Sequence, residues 1–168
     1  MSDCIYPCPC SYYSDSLKPG TCAPSTVTKY QKRISGPLLD RIDIHVEVPR
    51  MDYEKLSGNR VSESSESIRT RVQAARDIQN KRFINGKATA IASNADMRIG
   101  EIRQFCQLQP EGQSLMRSAM SHSARLCTAL CHRILKLART IADLAASEEI
   151  QSAHLAEALK YRPEIMMG

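Results

Sequence analysis

No stretch of this 168-residue chain approaches the roughly 20 apolar residues that a helix needs to cross a bilayer, so no membrane-spanning helix is expected. Residues 1 to 10 lack a basic cluster followed by an apolar run. No secretory leader is therefore expected, and the cytoplasm is the default compartment. Signatures of self-contained chemistry are missing too. There is no G-x-x-x-x-G-K-[ST] loop to cradle phosphates, no G-x-G-x-x-G, no H-E-x-x-H and no G-x-S-x-G. The histidines, His45, His122, His132 and His154, are scattered without ligand spacing and read as surface or packing residues. A stand-alone enzyme is not expected. The sequence also has no internal repeat and no low-complexity tail.

What is present is a globular composition, 42% hydrophobic and 24% charged, close to the averages of folded domains. The formal charge is +5, with eight Lys/Arg against seven Asp/Glu in residues 1 to 60 and fifteen against eleven beyond. That excess permits contact with nucleotide or nucleic-acid phosphates, so DNA is a candidate partner, but many ordinary domains share it. Cysteines are seven, an odd number, and Cys4, Cys8, Cys10 and Cys22 crowd the first 22 residues. In a cytoplasmic protein that pattern favours thiols or a metal over disulfides.

Residues 1 to 28 are rich in Cys, Pro, Ser, Thr and Tyr without helical or strand period, which predicts an irregular, turn-rich loop. Residues 41 to 49 then alternate Ile42, Ile44, Val46 and Val48 against Asp43, His45 and Glu47 before Pro49. This is the pattern of a strand. One strand cannot satisfy its own ladder and no second run of similar strength follows, so its partners are expected outside this sequence. Beyond a polar linker near Ser57 to Ser62 the chain reads as helices. Ser64 or Ser65 caps the first, with Ile68, Val72, Ala75 and Ile78 on one face and an end near Phe83 and Gly86. Asn94 caps the second, with Met97, Ile99, Ile102 and Phe105 to bury. A third runs from Pro110 to Met120, and a long one starts between Ser123 and Thr128 and stops near Ser147. The last, with Leu155, Ala158 and Leu159, ends before Pro163.

The segment Lys32-Arg33-Ile34-Ser35-Gly36-Pro37-Leu38-Leu39-Asp40-Arg41-Ile42-Asp43 resembles ComM-type magnesium-chelatase-like proteins, where it leads into the last core strand. The likeness continues through Glu63-Ser64-Ser65-Glu66-Ser67-Ile68-Arg69 and Ala74-Ala75-Arg76. It resumes at His132-Arg133-Ile134-Leu135-Lys136 with Ala138-Arg139-Thr140-Ile141-Ala142-Asp143-Leu144, and at His154 to Leu159 with Tyr161-Arg162. It covers nearly the whole chain. The implied fold is mainly α: the terminal strand and loop of a truncated AAA+ α/β core in residues 1–60, then a C-terminal helical lid domain in residues 61–168.

The resemblance further implies that the intact protein is an oligomeric ATPase related to the ATP-hydrolysing subunit of magnesium chelatase and to MCM helicases: a ring of identical subunits using ATP and magnesium, with the P-loop half upstream and DNA remodelling as its work. Hydrolysis builds negative charge on the γ-phosphate, and a guanidinium from a neighbouring subunit stabilises it with forked hydrogen bonds. Arg41 stands where the family places that arginine finger, with Arg33 in reserve; pairing of Arg41 with Asp40 or Asp43 is the structural alternative. Arg133, Lys136 and Arg139 form either a basic ridge beside the nucleotide or a solvated face on which Arg139 pairs with Asp143. A lid arginine that contacts the γ-phosphate in this family falls, by ungapped counting, at Ala129. In the family that arginine ends a Leu-Ser-Ala-Arg run, and Ser123-Ala124-Arg125 reproduces Ser-Ala-Arg one turn earlier, which makes Arg125 the sensor candidate if the helix begins at Ser123.

Pro7-Cys8-Pro9-Cys10-Ser11-Tyr12-Tyr13 resembles the family's N-P-C-P-C-G-Y loop, with Tyr6 in place of the asparagine and Ser11 in place of the glycine. Downstream, where the family repeats C-x-C, this chain has Gly20-Thr21-Cys22. Structural zinc takes four closed ligands, and Cys8, Cys10 and Cys22 supply three unless Cys4 joins them. Zinc is therefore not expected, nor any nucleotide on this chain alone. A second function stays open: an independent helical binding module for DNA or protein, without an ATP cycle.

Overall fold

The computed structural model describes residues 6, 8–13, 18–33, 39, 41–46, 48, 63–85, 91–122 and 128–162. These fall into two compact units, one drawn from Met1–Gly58 and the other from Asn59–Arg162. The protein is mainly helical, and no strand forms among the described residues.

In the first unit the expected strand is absent: residues 42–46 and 48 carry no ladder. Alternation of side chains favours an extended backbone, but a strand also requires a hydrogen-bonded neighbour. Ile44, Val46 and Val48 are exposed in consequence. A short helix appears where an irregular loop is predicted: α1, Pro24–Gln31. Pro24 presets the first helical φ, Thr28 Oγ1 donates to the Pro24 carbonyl at 3.0 Å, and only Val27 is buried. With one buried position, α1 has too little periodicity to be legible.

The second unit contains five helices among the described residues. In α2, Ser65–Asn85, the Ser64 hydroxyl accepts the Ser67 N–H at 3.2 Å and Glu66 sits in the positive first turn. Its buried row is Ala75, Gln79 and Phe83, whereas the expected Ile68 and Val72 are exposed. The helix meets its own unit's core only through its C-terminal half. Asn94 opens a 3-10 turn, Asn94–Asp96, in which Ser93, not Asn94, occupies the cap. Helix α3, Ile99–Phe105, buries Ile102 and, with the preceding Met97, faces the core, while Ile99 is exposed.

Helix α4 runs over Pro110–His122, α5 over Thr128–Leu144 and α6 over Ser152–Lys160. Ile134, Ala138 and Ala142 of α5 and Leu155 and Ala158 of α6 have no solvent exposure, the small alanines allowing close approach of the two helices. Phe83, Met97, Ile102, Cys106, Met116 and Ile150 complete the core. Phe83 meets Phe105 edge to face with centroids 6.0 Å apart. Helix α5 ends in a left-handed residue, Ala146 at φ 53, with the Ser147 N–H returning to the Ala142 carbonyl at 2.8 Å. Leu108 and Ile150 pair through a single parallel bridge, which ties the loop before α4 to the loop before α6.

Candidate functional site

Three thiols meet in the first unit. Cys8 and Cys10 lie on a turn closed by the Ser11 N–H donating to the Cys8 carbonyl at 3.1 Å, with Ser11 in the left-handed region at φ 64. Cys22 arrives from the segment that leads into α1. The three sulfurs lie within 4.8 Å of one another, and Cys8 Sγ is 3.3 Å from Cys10 Sγ. Cys8 is buried; Cys10 and Cys22 are half-buried. Hydrogen bonds from the Tyr12 backbone first, then from Cys8 and Cys22, pull the Cys10 thiol down to about 6. Cys22 moves the other way, chiefly because its own proton is donated to Cys10. One thiolate held by two thiols is the chemistry of a metal or redox site. Cys4, the reserve ligand, lies outside the described residues.

The second unit carries a buried charged network that joins α2, the 3-10 turn and α5. Arg82 donates from Nη1 to Asp143 Oδ2 at 2.9 Å and from Nη2 to Asp143 Oδ1, forming a two-pronged pair. Arg139 Nε donates to the same Oδ1 at 3.1 Å, and Asn94 Nδ2 donates to Oδ2 at 2.7 Å. Arg82 Nη1 also reaches Asn94 Oδ1 at 3.0 Å. The remaining Arg139 nitrogens donate to the carbonyls of Glu148 at 2.8 Å and Ser147 at 2.6 Å, across the end of α5. Burial lowers the Arg139 guanidinium's pKa, and the Asp143 carboxylate opposes that shift.

This settles one of the alternatives read from the sequence. Arg139 is 3% exposed and pairs with Asp143 in the interior, so it belongs neither to a basic ridge nor to a solvated face. Lys136 donates to the Ala95 carbonyl at 2.7 Å and so braces the 3-10 turn. Arg133 is half-buried on α5. Arg41 is exposed just past buried Leu39, whose carbonyl accepts the Ile42 N–H at 3.1 Å, and Arg33 is exposed just after α1. Arg125 and the proposed start at Ser123 lie outside the described residues; the described part of α5 begins at Thr128. The structure thus brings the cysteines together, while each candidate arginine stands in a different segment. Arg82 and Asn94 were missed by sequence reasoning. Their partner Asp143 is 61 and 49 positions away, a separation that no helical spacing reports.

Comparison with known proteins follows this division. Residues 62–162 match the family described as magnesium chelatase, subunit ChlI C-terminal, and residues 3–56 match magnesium chelatase, subunit ChlI. The chain is 38% identical over 157 residues to the protein YifB of Escherichia coli, covering 93% of this chain and 29% of that protein. It is 37% identical over 147 residues to the competence protein ComM of Haemophilus influenzae, covering 86% of this chain and 27% of that protein. YifB of Salmonella typhimurium is 32% identical over 157 residues, 93% of this chain and 29% of the relative. The chain therefore spans less than one third of the length of these relatives. With both consecutive segments matched in order, the chain belongs to the magnesium chelatase ChlI family, a branch of the AAA+ ATPases, and corresponds to the C-terminal part of its ComM-type members.

Proposed function

We propose that this chain works as the lid and intersubunit surface of an ATP-driven remodelling ring. Its second unit covers a nucleotide held by a P-loop half, and its first unit presents Arg41 to the nucleotide of the neighbouring subunit. The observation that carries this reading is the ordered match of residues 3–56 and 62–162 to consecutive segments of one ATPase family. Arg41 is exposed and lies two residues past the buried Leu39.

The division of labour follows from the chemistry of phosphoryl transfer. The P-loop half, with magnesium, holds the β- and γ-phosphates and orients the water. Arg41 supplies positive charge to the equatorial oxygens only as that charge builds, which lowers the barrier without tightening ground-state binding. Arg133 on α5, and Arg125 before it, are the lid cations that would report the γ-phosphate. The buried Arg82–Asp143–Arg139 network contributes indirectly by fixing α5 against α2. The substrate proposed for the remodelling is DNA, as the resemblance to ComM-type proteins implies.

The test joins this chain to the P-loop half of the Haemophilus influenzae relative and measures ATP turnover of the assembled chimera. Arg41→Ala is expected to spare nucleotide binding and to lower turnover by roughly 10³-fold. Mixing that variant with subunits defective in their own P-loop should restore part of the activity, because the arginine acts across an interface. Turnover near the starting value in Arg41→Ala would make Arg41 structural and sink the assignment.

A further inference from the structure

Among the described residues of the first unit only Cys8, Val27 and Leu39 are buried hydrophobics. Small units with few buried apolar residues are commonly held by a staple, either covalent or metallic. The thiol cluster stands where a staple would act. Cys8 and Cys10 lie in the turn of residues 8–13, and Cys22 lies two residues before α1. One cleft is lined by all three cysteines together with Thr28 and Gln31 of that helix.

Spacing favours a metal. In a tetrahedral thiolate site with bonds of about 2.3 Å, sulfurs stand roughly 3.8 Å apart. The Cys8–Cys10 distance of 3.3 Å and the 4.8 Å limit on the whole group bracket that value. Three thiols also cannot all pair as disulfides, whereas one ion satisfies all three together. Among the described residues no fourth Cys, His, Asp or Glu joins the group. Gly20 adjoins it: a Cβ built there would lie 3.7 Å from Cys10 Sγ and 3.1 Å from the Tyr12 carbonyl oxygen. That neighbour brings no ligand atom.

We infer that Cys8, Cys10 and Cys22 form a three-thiolate site for a thiophilic divalent ion of the zinc type, with the fourth position beside Gly20 left to water or a small exogenous ligand. The expectation against zinc rests on a count of four protein ligands, but zinc is also held by three protein ligands with water in the fourth position. Each thiol releases its proton to solvent on binding, so a divalent ion with three thiolates carries one net negative charge. Lys18 places its ammonium 4.2 Å over the ring of the cleft residue Tyr12. The ion's work is to tether the turn to the start of α1, coupling metal binding to folding of the unit.

The experiment uses the full chain, kept reduced with a thiol-free reductant. Zinc affinity is measured by chelator competition, bound metal by elemental analysis, and coordination by cobalt(II) substitution. The inference expects about one ion per chain, a dissociation constant tighter than about 1 μM, and a cobalt spectrum with thiolate charge transfer and tetrahedral intensity. Cys8→Ser, Cys10→Ser and Cys22→Ser should each weaken binding at least tenfold, while Cys4→Ser and Cys106→Ser leave it unchanged. Added azide should perturb the cobalt spectrum of the native chain, and Gly20→Cys should abolish that response while tightening binding. Affinity weaker than about 1 μM overturns the inference. So does equal loss in Cys4→Ser, which would mean four protein thiolates, or a weak octahedral cobalt spectrum. Should a serine variant misfold, the thiolate count from the native cobalt spectrum decides by itself.

Discussion

Removing the carboxylate of Asp143 is expected to cost the second unit about 3–5 kcal/mol, the range for breaking a buried ion pair by deleting one partner. Asp143 is 2% exposed and accepts hydrogen bonds from Arg82, Arg139 and Asn94. In Asp143→Ala the buried Arg139 guanidinium keeps its two carbonyl contacts but loses its counter-charge. The largely buried Arg82 is left facing it with like charge. Domains of this size are stable by only about 5–15 kcal/mol, so the variant should be near the edge of folding. A 3 kcal/mol loss corresponds to a drop in Tm of roughly 12–24 °C. Urea melts followed by far-ultraviolet circular dichroism measure it, since most of the described helix lies in this unit. The surface pair Arg71–Glu63, with side chains 54% and 42% exposed, is the control: Arg71→Ala should change stability by at most about 1 kcal/mol. If Asp143→Ala cost no more than that control, the network would not be what holds α2 to α5.

Two backbone substitutions should each stabilise the same unit by about 0.5–1 kcal/mol. Gly112→Ala adds a methyl at ordinary contact distances, 3.5 Å from Leu108 Cβ and 3.8 Å from Leu155 Cδ2, and removes a glycine from inside α4; a lower urea midpoint would refute this. Ala146→Gly relieves the left-handed residue at the end of α5, and an unchanged or lowered midpoint would show that the φ of 53 costs nothing there. In the metal-free chain, Cys10 is expected to react first with iodoacetamide, at a rate that is nearly flat above pH 7 and falls below about pH 6 as the thiolate is protonated. Cys106, pushed up to about 11 by burial, should resist until the chain unfolds; peptide mapping after timed alkylation at several pH values checks both. Calorimetry with ATP and magnesium should detect no micromolar binding to this chain alone, because it has no P-loop, and such binding would overturn the reading of it as a lid.

Local physics was legible in the sequence, and long-range pairing was not. Helices α4, α5 and α6 follow from apolar spacing, from Pro110 at a helix start and from the break before Pro163, because each needs information from within about one dozen residues. The strand at residues 42–48 shows the limit of that reasoning. Its alternation is plain, but alternation only prepares a backbone for pairing, and the ladder depends on a neighbour that local pattern does not supply. Ile68 and Val72 are a milder case of the same limit. They share a face with Ala75 and Phe83, but that face is covered only along the second half of α2, and periodicity says which residues lie together without saying how far the cover extends.

The charged residues make the sharper point about function. Arg133, Lys136 and Arg139 recur every three residues and invite one interpretation, yet the structure gives them three different environments. Arg139 is sequestered by Asp143, Lys136 is tied to the Ala95 carbonyl, and Arg133 is half-buried on another part of α5. A helix turns about 100° per residue, so a three-residue step rotates each side chain roughly 60° back and spreads the three over about 120°. Spacing of three therefore distributes charge between core and surface instead of aligning it. The same rotation explains why the Arg139–Asp143 pair, four residues apart and only about 40° apart in angle, was the legible part of the network. What decided its role was Arg82 arriving from α2, a contact fixed by tertiary packing. A nucleotide-facing cation must be sought among residues that this network leaves at the surface. On α5 that requirement removes Arg139 and retains Arg133, so loss of ATP turnover in an Arg139→Ala chimera would have to come with loss of stability, whereas Arg133→Ala should lower turnover with a much smaller change in the urea midpoint than Arg139→Ala.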